Sequence, residues 1–567
     1  MKAASCSALL VCLSLLPLLR AAEPKPVAFD YFEYTGTDDV FTPPLADGQF
    51  RNPILAGFYP DPSICRVGDD YYLINSTFSY FPGIPVFHSR DLVTWRQIGN
   101  VIDRPGQLNF DGMGVTRGIF APAISHHDGT FYLVCTMVDG GGNFLMTAKN
   151  PAGPWSDPEW LNFDGIDPSL FFDDDGRAWM VNNGNPPDNK PLYQGHRAIW
   201  QQEFDVKTHM LVGARHIIVN GGVDLTKKPV WIEGPHLYKR QGWYYLCCAE
   251  GGTSDQHSQV VLRSKQVTGP FEPWSGNPIL TQRDLDGTVP HAVTCTGHAD
   301  LFEGPDGKWW SIFLACRPYA GKLFATGRET FLLPVTWTDD GWPQILPHGE
   351  RVPYTVPAPS IAGNRGATSS EGTLPKSVPL TGNFTWRDEF DSATLAPLWI
   401  MVRQPHQTWW QIADGALRIT PRPDPLSGKT NPSFLARRVQ HAKFTTTTSL
   451  DVPTTAGTSA GLAIFQSETH QFFFGAHRGS DGVSIFLERW NGKGPEIVAS
   501  APLPASAHLQ LRLRADEKLF AFTYSTDGIT WQTLAADVDS MPVTVQAAGG
   551  GLHFTGAVIG LHARIDP

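Results

Sequence analysis

Residues 128–134 read Asp-Gly-Thr-Phe-Tyr-Leu-Val, an acidic residue and a glycine followed by aromatic and aliphatic side chains. The Asp-Gly pair is typical of a tight turn, and the apolar run is typical of a buried strand. The same pattern recurs at residues 68–74, 175–181, 241–246 and 306–312. The copies lie ~45 to 65 residues apart, a period at which propellers and solenoids are expected. Five such units predict a five-bladed β-propeller with a pocket on its axis.

The composition of the 567-residue chain agrees with an all-β protein of several domains. At ~150 residues per domain, this length predicts two to four domains. Hydrophobic residues make up 41% and charged residues 17%, which excludes a disordered chain. The net charge is −11 without a basic block, so we expect no nucleic-acid partner. The abundance of Trp, Tyr and Phe favours a neutral ligand such as a carbohydrate.

The N-terminal segment 1–22 has the features of a secretory signal peptide. Lys2 provides a positive start, residues 8–19 are apolar, and Ala21 and Ala22 are small residues before a polar segment. The alternative is an uncleaved anchor, although the apolar run is shorter than the ~20 residues that a membrane span needs. We therefore expect a secreted or periplasmic protein with no membrane partner.

The rest of the chain divides into two domains and a linker. All five repeats lie within residues 50–345, which we assign to the propeller. Residues 346–383 are assigned to a linker, because most of this segment is rich in Pro, Ser, Thr and Gly and lacks apolar runs. Further on, residues 444–450 and 509–514 alternate with the period of a strand. Residues 384–567 are therefore predicted to form a β-sandwich.

Three acidic residues differ from the many that occupy turns. Asp61, Asp167 and Glu233 each lie before the turn and aromatic run of a repeat, where the innermost strand of a blade is expected. Side chains at such positions converge on the propeller axis. Any one of these acids alone is readily explained as a turn or capping residue. Three of them in equivalent repeat positions favour a functional site.

Carboxylates in a neutral, aromatic pocket suit the hydrolysis of a glycosidic bond. One carboxylic acid protonates the leaving oxygen, while a second carboxylate activates water or attacks directly. A third carboxylate nearby raises the pKa of the acid by like-charge repulsion, which keeps the acid protonated near neutral pH.

Several motifs occur in the order of glycoside hydrolase family 43, at residues 59–63, 76–78, 81–83, 117–122, 166–169, 232–235, 297–300 and 327–330. Within that family the chain resembles the two-domain β-xylosidase and α-L-arabinofuranosidase group. The resemblance implies a concanavalin-like sandwich after the propeller. It also implies an inverting mechanism, with Asp61 as general base, Glu233 as general acid and Asp167 as the residue that modulates the pKa of the acid. No cofactor is required for such chemistry.

Four propeller residues are predicted to contact the sugar. Arg328 is a fixed cation whose planar donors suit sugar hydroxyls and carboxylates. Thr253 follows a strand of the fourth repeat, and we expect it to contact a hydroxyl of the sugar. Phe78 and Phe120 suit apolar walls against a sugar ring. Related enzymes often carry Trp in place of Phe120. The alternatives are a surface position for Arg328 and plain core packing for the two phenylalanines.

His298 is the candidate metal ligand in the propeller. Alone it is more often a structural histidine, but the resemblance places it beneath the pocket, where it contacts substrate and sometimes binds a divalent cation, often calcium. Asp388 and Asp566 in the sandwich are a second set of oxygen ligands of the kind that calcium prefers, although acids at a sandwich edge are more often solvated. Calcium is the metal we expect if one is bound.

A glycine-rich segment at residues 549–557 carries one large aromatic residue, Phe554. Glycines let a loop reach across a gap, and an exposed phenylalanine needs an apolar surface to cover. In the enzymes that the chain resembles, a sandwich loop closes one side of the propeller funnel. Phe554 is the predicted closing residue. The alternative is a core phenylalanine of an ordinary strand, because residues 558–561 continue as one.

The predicted function is an exo-acting, inverting glycoside hydrolase that releases xylose, arabinofuranose or both from xylan-derived oligosaccharides. Its partners are therefore xylo- or arabino-oligosaccharides. Two alternatives stay open, a carbohydrate-binding propeller without catalysis and an endo-acting arabinanase. The choice between xylose and arabinose and the oligomeric state are both left open by the sequence.

Overall fold

The computed structural model describes residues 24–304, 306–360, 378–504, 508–548 and 553–566. The predicted signal peptide and residues 361–377 of the predicted linker lie outside these ranges. The described chain is almost entirely β-structure, with 3-10 helices of three residues at Asp39–Phe41, Pro187–Asn189, Leu225–Lys227 and Met541–Val543. No helix within the described ranges is long and apolar enough to cross a membrane.

Five antiparallel sheets form the blades of a propeller, numbered I to V in chain order. Blade I contains Ser63–Val67, Asp70–Ile74, Gly83–Ser89 and Arg96–Ile102. Blade II contains Gly118–His127, Thr130–Val138, Gly142–Ala148 and Glu159–Trp160. Blade III contains Ile166–Phe172, Ala178–Gly184, Ala198–Asp205 and Met210–Asn220. Blade IV contains Glu233–Arg240, Trp243–Glu250, Ser258–Ser264, Glu272–Pro273 and Leu280–Thr281. Blade V contains Thr294–Glu303, Trp309–Cys316, Glu329–Trp337 and Pro343–Gln344.

The predicted five-bladed propeller is confirmed. In every blade the repeated turn joins the first strand to the second, and the aromatic run is the second strand. The first strands contact one another in a closed ring around the axis. A short sheet of Gln49–Arg51 and Thr355–Pro357 brings the two ends of the propeller together. Residues that begin a first strand therefore surround one common space.

Two further sheets form the concanavalin-like sandwich, as predicted. The outer sheet runs in the order Trp410–Ala413, Ala416–Ile419, Val27–Gly36, Lys443–Asp451, His508–Asp516, Leu519–Ser525 and Gln532–Asp539, with Phe384–Asp388 also paired to Val27–Gly36. The propeller-facing sheet runs in the order Pro495–Leu503, Val483–Asn491, His470–Arg478, Thr458–Ser467, Val558–Ile565, Phe434–Arg438, Ile400–Val402 and Tyr80–Phe81. Inward-facing apolar residues of the two sheets share one core.

The sandwich is built from more of the chain than its C-terminal part. Strand Val27–Gly36, which precedes the propeller, lies within the outer sheet and pairs with Lys443–Asp451. Strand Tyr80–Phe81 leaves blade I and pairs with Ile400–Val402 at the edge of the propeller-facing sheet. Neither pairing is predicted from the sequence. Both connect the propeller to the sandwich through backbone hydrogen bonds.

A buried ionic cluster reinforces this junction. The Arg317 guanidinium donates to Glu329 at 2.6 Å and to Asp38 at 2.9 Å, and also to the backbone oxygen of Gln440 at 2.8 Å. Asp38 in turn accepts the backbone N–H of Lys443 at 2.9 Å. The cluster thus links the N-terminal segment, blade V and the sandwich.

Candidate active site

The same backbone feature occurs at the start of every blade, within the first strand or just before it. One residue there has a φ between 36° and 55°, in the left-handed region, at Asp61, Ala121, Asp167, Gly234 and His298. In blades I to IV this residue precedes a proline, which has no N–H to donate to the next strand. Strand pairing is interrupted at this point in blades II to V. Bulges of this kind re-aim side chains, and strained backbone of this kind is concentrated at functional sites.

The three predicted acids are brought together, but they are not fully equivalent. Asp61 and Asp167 occupy the left-handed position, whereas Glu233 lies one residue before it, beside Gly234. The residue that corresponds to Glu233 in blade II is Phe120. The acids are close enough to interact, because Asp61 raises the pKa of both other carboxyl groups and Asp167 raises that of Glu233.

Asp61 is held in its ionised form. Burial by itself raises the pKa of this carboxyl, but the Arg328 guanidinium, His298 and a hydrogen bond from Ser76 outweigh that effect and lower the pKa below its usual value. Arg328 donates from Nη1 to Oδ1 of Asp61 at 2.9 Å, and the Ser76 hydroxyl donates to Oδ2 at 2.6 Å. An ionised carboxylate of this kind can accept a proton from water.

The pKa values of Glu233 and Asp167 are shifted in the opposite direction, upward. Burial, followed by the negative charges of Asp167 and Asp61, raises the pKa of Glu233 well above its usual value. Burial and Asp61 raise the pKa of Asp167 to about 7, although its Oδ2 accepts the backbone N–H of Gly234 at 3.1 Å. The raised pKa favours the protonated form of Glu233, which can donate a proton. One cluster thus contains a carboxylic acid and a carboxylate that can act as a base.

Three phenylalanines form an aromatic group beside the carboxylates. The ring centroids of Phe78 and Phe120 are 5.4 Å apart, and the Phe554 ring lies 5.4 Å from Phe120 and 6.0 Å from Phe78. Phe78 and Phe120 belong to the propeller, whereas Phe554 comes from the sandwich. The Arg328 guanidinium lies 5.3 Å from the centre of the Phe554 ring. The predicted apolar walls therefore lie next to the predicted base.

The segment that carries Phe554 is fixed against the propeller. The backbone N–H of Phe554 donates to the Thr116 hydroxyl at 3.0 Å, and its carbonyl accepts from Arg328 at 3.4 Å. Gly556 packs so tightly on Gly327 that a Cβ on Gly327 would lie 2.7 Å from the Gly556 nitrogen. Phe554 precedes strand Val558–Ile565 and is not part of it. The glycines at 549–552 lie outside the described residues.

Arg328 organises the floor of the site together with Thr253 and two histidines. Its Nη1 also donates to the Thr253 hydroxyl at 3.1 Å. Nδ1 of His298 lies 3.9 Å from Asp61, and burial lowers the pKa of His298 to about 4, so this imidazole is neutral. Burial likewise lowers the pKa of His257 to about 3. The nearby His298 and Arg328 act in the same direction. His257 was not predicted, because no motif surrounds it in the sequence.

A second missed group lies beside Glu233. Arg197 donates from Nε and Nη2 to the Asn183 side-chain oxygen, at 3.0 and 2.8 Å. Asn183 in turn donates to the carbonyl of Ile232, the residue before Glu233, at 2.5 Å. Burial lowers the pKa of Arg197, and the negative charges of the nearby Glu233 and Asp167 partly oppose that effect. Two adjacent asparagines at the end of an apolar strand, residues 182–183, are the signal that points to this group.

The residues around His298 do not fit a calcium ion. Calcium takes six to eight oxygen ligands, whereas both oxygens of Asp61 already accept hydrogen bonds from Arg328 and Ser76. The two sandwich acids already take part in hydrogen bonds within the protein. Asp388 accepts from the backbone N–H of Phe390 and from the Trp399 indole. Asp566 is hydrogen-bonded to Ser459, His477 and Arg564. Within the described ranges, no group of three or more His, Cys, Asp or Glu residues is arranged to hold a metal. No catalytic step is therefore assigned to a metal.

Comparison with known proteins agrees with this geometry. Residues 50–343 match the family model described as glycosyl hydrolases family 43, and residues 387–565 match that of the β-xylosidase C-terminal concanavalin A-like domain. The chain is 39% identical to a xylosidase/arabinosidase of Butyrivibrio fibrisolvens, over 90% of this chain and 95% of that protein. It is 36% identical to a non-reducing end α-L-arabinofuranosidase of Bacteroides ovatus, over 92% of each chain.

Solved structures agree as well. A family member retrieved from a capybara gut metagenome has a TM-score of 0.87 at 39% identity, covering 96% of this chain and all of that one. A xylan β-1,4-xylosidase from Bacillus halodurans has a TM-score of 0.80 at 33% identity, covering 91% of this chain and 97% of the other. The resemblance seen in the sequence motifs is thus confirmed, and the chain is a glycoside hydrolase that belongs to glycosyl hydrolase family 43.

Proposed function

We propose that this hydrolase releases single xylose or arabinofuranose residues from the ends of xylan-derived oligosaccharides, with inversion at the anomeric carbon. The observation that carries the proposal is the opposite perturbation of two carboxyl groups in one cluster. The pKa of Asp61 is lowered, while that of Glu233 is raised well above its usual value. This is the division between base and acid that glycoside hydrolysis requires.

In the proposed mechanism, Asp61 takes a proton from a water molecule that attacks the anomeric carbon. Glu233 gives its proton to the glycosidic oxygen as the bond to the leaving group breaks. Asp167 touches neither reacting atom in this mechanism. Burial and the charge of Asp167 raise the pKa of Glu233, and the contact of Asp167 with Gly234 positions the backbone beside the acid. Arg328 orients Asp61 and offers donors to a sugar hydroxyl.

An exo mode of action is supported by the position of Phe554. An endo-acting enzyme cleaves within a polysaccharide and needs a cleft that is open at both ends. Here the sandwich segment adds an aromatic wall on one side of the carboxylates. This argues against an endo-acting arabinanase. The pentose specificity rests on the relatives, which are named as xylosidase, arabinosidase or arabinofuranosidase.

Hydrolysis of two aryl glycosides and of oligosaccharides tests the proposal. The wild type should hydrolyse 4-nitrophenyl β-D-xylopyranoside, 4-nitrophenyl α-L-arabinofuranoside or both, and the matching oligosaccharide. Glu233→Gln should lower kcat on the oligosaccharide by about a hundred- to ten-thousand-fold, the usual contribution of a general acid. Glu159→Gln, on an exposed edge strand of blade II, is the matched control. Sugar binding by a wild type without hydrolysis would instead support the carbohydrate-binding propeller.

We also propose that residues 1–22 are a cleaved signal peptide and that the mature enzyme acts outside the cytoplasm. The basis is the sequence alone, a positive residue followed by an apolar run and small residues. N-terminal sequencing of the protein recovered from its native host tests this. A mature chain that retains Met1 would contradict it.

A further inference from the structure

An exposed apolar patch precedes Glu233 in the connection between blades III and IV. Leu225, Val230 and Trp231 are 46%, 42% and 37% exposed, respectively. They are three of the twelve large apolar residues found exposed in the described chain, and they fall within seven consecutive residues. Scattered exposed apolar side chains need no explanation, but a cluster beside an active site marks a binding surface.

Trp231 is held in this exposed position by its backbone. Its φ is +51°, a conformation in which a bulky side chain is a true outlier. Its N–H donates to the carbonyl of Gly195 at 2.9 Å, and the carbonyl of Val230 accepts the N–H of Gly251 at 2.8 Å. Strained residues persist where the surrounding structure fixes them, and they concentrate at ligand sites. Core packing does not explain an indole that remains exposed.

Arg197 fixes the ring as well as the backbone. Its guanidinium lies 4.6 Å from the centre of the Trp231 ring. The same guanidinium is bonded to Asn183, which holds the carbonyl of Ile232. The indole, the arginine and the acid Glu233 are thus parts of one rigid group. A rigid aromatic surface binds a sugar ring with little loss of conformational entropy.

Of the acid and the base, the patch is next in sequence to the acid. An acid that protonates the glycosidic oxygen stands next to the departing residue, and Trp231 precedes Glu233 by two positions. The three phenylalanines, in contrast, lie beside Arg328, which binds the base Asp61. The two aromatic surfaces therefore serve different parts of the substrate.

We propose that Trp231, held by Arg197, is the platform for the first sugar of the leaving group, a neutral pyranose of the oligosaccharide chain. The inference rests on the proposed function, since it assigns Glu233 as the acid. The apolar face of the pyranose packs on the exposed indole while Glu233 protonates the bond between the two sugars. Trp231 is then the residue that favours oligosaccharides over glycosides with small leaving groups.

The test compares two substrates that share the released sugar and differ in the leaving group. One is a disaccharide and the other is the methyl glycoside of the sugar that the wild type prefers. Both release an alkoxide-type oxygen that needs the acid, but the methyl glycoside has no second ring. Trp231→Gly removes the indole at a position where glycine is free of strain, so the fold should be kept.

We expect Trp231→Gly to lower kcat/KM for the disaccharide by about tenfold. The value for the methyl glycoside should change less than about twofold, the pH profile should not move, and Trp231→Phe should restore most of the loss. Trp160→Ala, which removes a tryptophan that is 49% exposed at the edge of blade II, is the control and should change neither value.

Two results would overturn the inference while leaving the proposed function intact. One is an unchanged kcat/KM for the disaccharide in Trp231→Gly, and the other is an equal loss on both substrates, which would mark a structural role. A wild type that hydrolyses neither substrate would instead overturn the proposed function itself, and the inference with it.

Discussion

The backbone N–H of Gly234 donates to Oδ2 of Asp167 at 3.1 Å, which joins the proposed pKa modulator to the residue directly after the acid Glu233. The contact crosses from blade III to blade IV at their first strands. Asp167 therefore acts on Glu233 in two ways, by its charge and by holding the backbone on which the acid is carried. Substitutions that keep the hydrogen bond and remove the charge separate the two.

Asp167→Asn is such a substitution, because its amide oxygen can still accept from Gly234. Removing the charge should lower the pKa of Glu233, which Asp167 raises. Activity is lost as the pH rises through the pKa of the acid, so the alkaline limb of the kcat/KM profile should move to lower pH. The measurement should use an oligosaccharide, whose leaving oxygen needs the acid. An unmoved limb would leave Asp167 with a positioning role alone.

Ser76→Ala should act on the opposite limb. The Ser76 hydroxyl donates to Asp61 at 2.6 Å and helps to lower the pKa of that carboxylate. Its loss should therefore raise the pKa of Asp61. The base must be ionised, so the acid limb should move to higher pH. Ser79→Ala, an equally buried serine that bonds to backbone carbonyls, is the control and should leave the limb in place.

The propeller was predictable because its signals are local. Each turn and aromatic run lies within about seven residues, as at 128–134, and turn chemistry depends on few neighbours. The carboxylates followed from the repeat, since Asp61 and Asp167 occupy the same place in it. The one-residue offset of Glu233 arises because Gly234 takes the left-handed position that Asp61 and Asp167 occupy in their own blades.

The missed features all depend on contacts between distant parts of the chain. Strand Val27–Gly36 pairs with Lys443–Asp451, and nothing in its own sequence identifies a partner so far away. Arg197 and His257 belong to the site only because blades III and IV bring them there. The sequence suggested the role of Phe554 through the glycine-rich segment 549–557 together with the family resemblance.

An inverting mechanism predicts the configuration of the first product. Water activated by Asp61 attacks the face opposite to the bond that Glu233 protonates, so the released sugar should have the inverted anomeric configuration. Proton NMR within the first minutes of the reaction, before mutarotation, measures this directly. A product with the anomeric configuration of the substrate would require one carboxylate to act as a nucleophile and would contradict the role of Asp61.

The ionic cluster at the domain junction should matter for stability. Arg317 is buried and pairs with Glu329 and Asp38. Arg317→Ala leaves both carboxylates buried without their cation, which typically costs about 3–5 kcal/mol. Arg387→Ala, which breaks an exposed pair with Glu389, should cost less than about 1 kcal/mol. Denaturant unfolding of the two variants measures the difference, and similar values would show that the cluster does not hold the domains together.

Phe554→Ala tests whether the sandwich completes the sugar pocket. The Phe554 ring stacks on Phe78 with an interplanar angle of 15° and lies against Phe120, so its loss opens one wall of the site. Loss of an apolar wall of this size should lower kcat/KM by about tenfold or more, mainly through KM. The pH profile should stay where it is, because no charged group is removed.

The control for this variant is Phe324→Ala. Phe324 also lies where the propeller meets the sandwich, since its carbonyl accepts the N–H of Val545 at 3.0 Å, but it packs on Cys295 and Cys316 and not on the three phenylalanines. The Phe324→Ala variant should therefore have a lower unfolding midpoint and an unchanged KM. If both variants raised KM equally, the effect would come from a loosened domain junction. If Phe554→Ala left KM unchanged, the closing role of the sandwich segment would be refuted, and with it the structural basis for exo action.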